Sequence, residues 1–340
     1  MMRISTQQIY RQAIGGMMDQ QLQLTKTQQQ VASGKRFQNA SEDPVAAQQS
    51  LTMQRSLDRL AQFDKQAILV DGRLREEENA VTSSVQVLQR VRELVVGANN
   101  GTQSNESRAA TAVEIREQVK SLMQLANSQD GNGHYLFGGY QDDKAPYSFD
   151  NATQAVLTNS HAGQRLVSIG PGRQIADGDT GAAVFQQVPA DPSNIAAGQL
   201  DLFKALRQIA AALETPRSGG LEPVLPPTIP ADPTEPYNLS DSTITIDGLN
   251  KVMAKALKVL DRGLDHLSDV RTGIGVRLNQ IDQQSETNAS SSLQLSALKS
   301  DNEDIDIAEA YSKLSLQLSG LQAAQKAYVQ VQGLSLFNYL

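Results

Sequence analysis

The chain has 340 residues, a net charge of −7 and a pI near 5.1, an acidic balance that argues against a general nucleic-acid binder, which needs a concentrated basic face. It has no Cys, which removes disulfides, thiolate nucleophiles and Cys-ligated metals, and no apolar run near the ~20 residues of a membrane span. Hydrophobic residues make up 39% but aromatics only 4%, with no Trp, so the core must be Leu, Val, Ile and Ala, which suits a helical bundle.

Residues 1–33 form the first helix candidate, glutamine-rich outside, with Tyr10, Ile14, Met17, Leu24 and Val31 on a four-three rhythm. Gln21 and Gln28 fill the skipped positions, and Gly34 supplies a left-handed C-cap. This segment lacks the apolar core and cleavage site of a secretory signal peptide, so export would have to follow a route that reads no such signal. Asp43 then reads as an N-cap, with Pro44 at the first helical position, where its missing N–H costs nothing. From Pro44 to about Val96, Met53, Leu60, Ala67, Leu74, Val81, Leu88 and Val95 recur every seven residues. Such a helix would be about 80 Å long.

Gly97–Ser104 is a turn, and Ala112, Ile115, Val119, Leu122 and Ala126 mark a third helix. Gly131, Gly133, Gly138 and Gly139 break the helical regime around the apolar island Tyr135-Leu136-Phe137. Ala155–Thr158 and Arg165–Ile169 are β-prone, set among Gly, Asn, Asp and Pro. Asp201–Glu214 returns to helix, and Pro216–Pro236, with seven prolines, belongs to neither helix nor central strand. A second long helix runs from Ile246 or Leu249 into the 280s, and the polar stretch Asn288–Ser292 is expected to weaken it; Thr243–Ile246 could be a short strand.

The last segment reads as one more helix. Ser300 and Glu303 have capping-box spacing, and Asp301, Asp304 and Asp306 add negative charge where a helix start favours it. Ile307, Tyr311, Leu314, Leu318, Leu321 and Tyr328 then form a narrow seam, interrupted at Gln325 and closed by Leu334 and Phe337. A seam this long needs a partner helix, and the two ends of the chain match. Because both are terminal and interrupted by glutamine, their apolar residues read as contacts between copies in preference to an internal core.

Nothing in the residues assembles an active site. His134, His161 and His266 lie in separate segments without ligand spacing, and the acidic cluster at 301–306 lacks the glycine of a calcium loop. Gly170-Pro171-Gly172 and Gly273-Ile274-Gly275 lack the features of phosphate loops. No catalytic residue, cofactor or metal is assigned, and a non-enzymatic structural role is expected.

The joint Ala32-Ser33-Gly34-Lys35-Arg36-Phe37, with Ala40-Ser41-Glu42-Asp43-Pro44-Val45-Ala46, resembles the N-terminal signature of the flagellin family. Glu303–Ala310 and Ser335–Leu340 resemble its C-terminal signature. Gly133–Tyr140 running into Ala145-Pro146-Tyr147, Ile169–Arg173 and Asp269–Asn279 are similar to the branch of that family found at the junction of hook and filament. The resemblance implies a mainly α fold, a long antiparallel helical rod with an inserted small β domain and paired termini. It places an N-terminal polymerisation helix at 1–43 and the first half of the rod at 44–142. The β domain would take 143–192, a short helix and the Pro-rich segment 193–247, the second half of the rod 248–298, and a C-terminal polymerisation helix 299–340. It also implies an extracellular flagellar subunit, exported by the flagellar secretion apparatus and polymerising through its terminal helices. The implied partners are further copies of itself, a neighbouring hook-associated junction subunit, hook protein, flagellin on the filament side and an export chaperone at the C-terminal region; nucleic acid and membrane are not among them.

Two other readings stay open at this point: the filament flagellin itself, and an intracellular coiled-coil scaffold. Energetics adds an expectation for the free chain. Helix nucleation is costly and ordering takes roughly 1–2 kcal/mol per residue, so residues 1 to about 40 and about 300 to 340 should be largely disordered in the free chain and become helical only on assembly.

Overall fold

Asp43 begins the first long element as its sequence position implies: its Oδ1 accepts the N–H of Ala46 at 2.9 Å, and Pro44 opens the helix. The computed structural model describes residues 6–100, 103–150, 155–159, 163–189, 198–214 and 246–337. The expectations for His161 and for Pro216–Pro236 lie outside the described residues, as do those for Asn338, Tyr339 and Leu340. Within them the order is α1 Thr6–Ser33, α2 Pro44–Ala98, α3 Asn105–Ala126, β1 Tyr147–Asp150, β2 Ala155–Thr158, β3 Leu166–Gly170, β4 Arg173–Ala176, β5 Val188–Pro189, β6 Gln199–Leu200, α4 Leu202–Glu214, α5 Ile246–Glu303 and α6 Ile307–Phe337. A π-helical turn, Ala182–Gln186, precedes β5. The fold is mainly α with small antiparallel β ribbons in the middle, as expected.

The chain divides into two units: residues 1–61 with 289–340, and residues 62–288. In the second unit, α2 and α5 run antiparallel, as the pairs Arg92–Asp261 (2.7 Å) and Asp64–Asn288 (3.1 Å) show. Leu74, Val81, Leu88 and Val95, from the seven-residue series of α2, are buried together with Met253, Leu260, Leu267, Ile274 and Ile281 of α5. Helix α3 adds Ile115 and Leu122 and packs on α4, which adds Leu206 and Ile209. Burying such side chains contributes about 1.5–3 kcal/mol each, so this core stabilises helices whose propensity alone would not hold them.

The ribbons are three antiparallel pairs, β1–β2, β3–β4 and β5–β6. The β2 and β3 segments fall where expected; β1 and β4, their partners, were not legible as strands. Tyr147, Ile169, Ile175, Phe185, Val188 and Leu200 belong to the same core as the helices. Phe137 and Phe185 meet edge to face at 5.3 Å, and Tyr147 lies 4.9 Å from Phe203, so the glycine-flanked aromatic island is part of that packing.

One reading is corrected. Helix α5 does not weaken at Asn288–Ser292 but continues unbroken to Glu303. Asn288 is 1% exposed and donates to Asp64 Oδ1 at 3.1 Å and to the Ile169 carbonyl at 2.9 Å while accepting from Gln284 Nε2 at 2.9 Å. Tertiary bonding therefore overrides weak propensity there. Of the run Thr243–Ile246, Ile246 is helical and Thr243–Thr245 lie outside the described residues.

Candidate assembly interface

In the first unit, α1 packs against α6. The two run antiparallel: Lys35 bridges to Asp304 at one end, and a Cβ on Gly320 would stand 3.3 Å from Gln20 Nε2 farther along. The joints between helices are tied together by backbone. Gly34 takes φ +71° at the end of α1, where a side chain would be strained. Past it, Arg36 N–H donates to the Glu303 carbonyl at 2.7 Å, and Ile305 N–H donates to the Gly34 carbonyl at 3.0 Å. Lys35 Nζ pairs with Glu303 Oε2 at 3.1 Å. Asn302 Nδ2 reaches the Ala46 carbonyl at 2.9 Å and Ser50 Oγ at 2.8 Å, docking the end of α5 on the start of α2. Burial pushes the Glu303 carboxyl up, but Ser50, Lys35 and Lys299 together outweigh it and hold the carboxyl below the ordinary glutamate value.

The start of α6 corrects the expected capping box. Ser300 lies inside α5, and the chain breaks helix at Asp304–Asp306. Asp306 caps α6, its Oδ1 accepting from Ala308 N at 2.8 Å and Glu309 N at 3.1 Å. The physical reason is the strand-like pairing opposite Lys35: the Glu303 carbonyl and the Ile305 N–H bond across to α1's exit, which takes them out of the helical ladder.

The expected seam residues divide. Leu24 is buried, and Met17, Val31, Leu314, Leu321 and Tyr328 are half-buried. With them on the covered face are Gln20, Thr27, Ala310, Gln317 and Ala324, a largely small or polar set. Ile14, Ile307, Tyr311 and Leu318 are exposed, the last three at 50%, 57% and 39%. Tyr10, Leu334 and Phe337 lie on the helices, but their side chains are not described. Met18, Leu22, Leu316 and Val329 are exposed as well, and sequence reading missed them because they fall off the four-three rhythm. Among the described residues, the buried apolar side chains of this unit are Leu24, Ala46, Leu60 and Ala310. Gln20 Oε1 and Gln317 Oε1 are buried without a hydrogen-bond partner among the described residues. The pair thus has a thin interface and carries more bulky apolar side chains outside it than in it, the pattern of a surface that further apolar groups could cover.

The same terminal regions are matched by family models. Residues 4–142 match the bacterial flagellin N-terminal helical region, and residues 257–340 match the bacterial flagellin C-terminal helical region. Together these take in more than half the chain, which belongs to the bacterial flagellin family. Within it, the chain is 28% identical to the flagellar hook-associated protein 3 of Escherichia coli (strain K12), covering 99% of each chain. It is 25% identical to the flagellin of Bacillus subtilis (strain 168), over 90% of this chain and 88% of that one. The crystal structure of hook-associated protein 3 from Legionella pneumophila has the same fold, with a TM-score of 0.59 at 17% identity, covering 73% of this chain and 98% of that one.

Proposed function

We propose that the chain is a structural, non-enzymatic subunit of the bacterial flagellum that joins hook to filament and assembles through α1 and α6. The observation that carries this is similarity to hook-associated protein 3 along the full length of both chains. The exposed apolar stripes of α1 and α6 support the mode of assembly: Met18, Leu22, Tyr311 and Leu316 are left uncovered by a pair that buries little of its own. Neighbouring copies, an adjoining hook-associated subunit, hook protein and the first flagellin subunits are its partners. It reaches them outside the cell through the flagellar secretion apparatus, with an export chaperone held at its C-terminal region. In the free chain the terminal helices are the least stable elements, and contacts with neighbours order them.

The test is localisation. Tagged protein on sheared and intact flagella should mark the base of the filament, and its deletion should leave hooks without filaments. Signal spread along the filament would instead make it the filament flagellin, and signal confined to the cytoplasm would favour a scaffold.

A further inference from the structure

Glu77 stands on α2, inside the second unit, with none of its surface exposed. Its Oε1 accepts the N–H of Asp179 at 3.0 Å, which fixes the loop Asp177–Gly181, between β4 and the π-helical turn, against α2. Its Oε2 is equally buried and has no hydrogen-bond partner among the described residues. A Cβ on Gly178 would lie 3.4 Å from that oxygen and 3.3 Å from the Leu136 carbonyl oxygen, so the loop closes tightly over the carboxyl.

The charged groups around Glu77 come from every packed element. On α2, Arg73 pairs with Asp130 at 3.2 Å and donates to the Tyr135 and Leu136 carbonyls at 2.9 and 3.2 Å, with Asp177 at 3.9 Å. On α5, Arg277 pairs with Asp179. Ahead of β3, Arg165 pairs with Asp177 and, at 3.5 Å, with Asp142; His134 faces Asp142 at 3.4 Å. Each of the three arginines makes its ion pairs with aspartates, while Arg73 Nε and Arg277 Nη1 are buried without a hydrogen-bond partner among the described residues. An ionised Glu77 would be a buried anion beside the Asp179 carboxylate, with one oxygen bare, an arrangement burial strongly disfavours.

We propose that Glu77 is a buried proton-binding site, its carboxyl kept protonated by enclosure with one oxygen unpartnered, and that its deprotonation unlatches the Asp177–Gly181 loop from α2. Burial first, and the Asp179 carboxylate next, raise the Glu77 carboxyl well above its ordinary value, against the opposing pull of Arg277 and the Asp179 N–H. The native chain then holds a proton that the unfolded chain has already lost. Stability contributed by this group is fully present below the unfolded value and is lost as pH rises through the folded one.

Thermal unfolding of the full chain and of Glu77→Gln, which keeps the Oε1 acceptor, tests this as pH rises above the ordinary carboxyl value of 4.5. The midpoint of the unmodified protein should fall with pH, and the Glu77→Gln profile should be flatter. Infrared spectra at neutral pH should show a protonated carboxylic acid band that Glu77→Gln removes. Should Glu77→Gln fail to fold, Asp179→Asn removes the neighbouring carboxylate and should move the pH midpoint downward. Parallel profiles, absence of the acid band, or an unmoved midpoint in Asp179→Asn would overturn the proposal.

Discussion

Arg36 donates its backbone N–H to the Glu303 carbonyl at 2.7 Å, so the exit of α1 is hydrogen-bonded to the end of α5. With the Ile305-to-Gly34 bond at 3.0 Å and the Lys35–Glu303 ion pair, this clasp sets where α1 and α6 begin to run side by side. The clasp gives the α1–α6 pair a defined root, made largely of backbone bonds.

Glu303→Gln should loosen that root without unfolding the chain. Because Lys35 is half-exposed, the ion pair contributes about 1 kcal/mol or less. The Glu303 carboxyl is held below its ordinary value of 4.5, so its contribution is present above that pH and is lost as pH falls through the lower folded value. Amide exchange at Arg36 and Ile305 should quicken several-fold in the variant at neutral pH, and the gap between variant and parent should close in acid. Equal exchange at neutral pH would show that the ion pair adds nothing to the clasp.

Leu24 and Leu22 separate folding from assembly. Leu24 is 7% exposed on the face toward α6, and Leu22 is 69% exposed. Leu24→Ala should weaken the α1–α6 pair by about 2–3 kcal/mol, seen as faster exchange along both helices. Leu22→Ser should leave exchange in the free chain unchanged but lower incorporation into flagella, measured by quantifying the subunit in sheared preparations. Normal incorporation of Leu22→Ser would remove that stripe from the interface.

Asn288→Ala removes donors to Asp64 and Ile169 and an acceptor for Gln284 at a site that is 1% exposed. Leaving buried partners unsatisfied should cost about 1–3 kcal/mol, read from chemical denaturation. Gly170→Ala should destabilise in the same direction, since its Cβ would stand 2.5 Å from Gln284 Nε2.

Tyr147→Phe should have the opposite sign. The ring is 1% exposed and packs on Phe185 and Phe203, but its hydroxyl has no hydrogen-bond partner among the described residues. Burial, with Asp201 adding to it, pushes the phenol far above its ordinary range. Removing that hydroxyl should leave the melting temperature unchanged or raise it, by about 1 kcal/mol of stability. A clear loss would reveal a partner for the oxygen.

The helical periods of α2, α3, α4 and α5 were legible because each repeats Leu, Val, Ile or Ala on one face over many turns. Leu60, Ala67, Leu74, Val81, Leu88 and Val95 are all buried as their spacing requires. The Asp43 cap of α2 was legible too, whereas the Asp306 cap of α6 was not. The legible features depend on local geometry, which the order of residues contains. The position of the α5–α6 break, the strand partners β1 and β4, and the continuity of helix through Asn288 were decided by tertiary structure. The deciding bonds join Ile305 to Gly34 and Asn288 to Asp64, far apart in the chain, and for β1 the deciding contact is the antiparallel register that sets Tyr147 opposite Thr158. The same holds at the candidate interface. Periodicity could select apolar positions on α1 and α6, but which of them face the partner helix depends on how the clasp at Lys35 and Asp304 rotates the pair, and a rotation is written only in the folded chain.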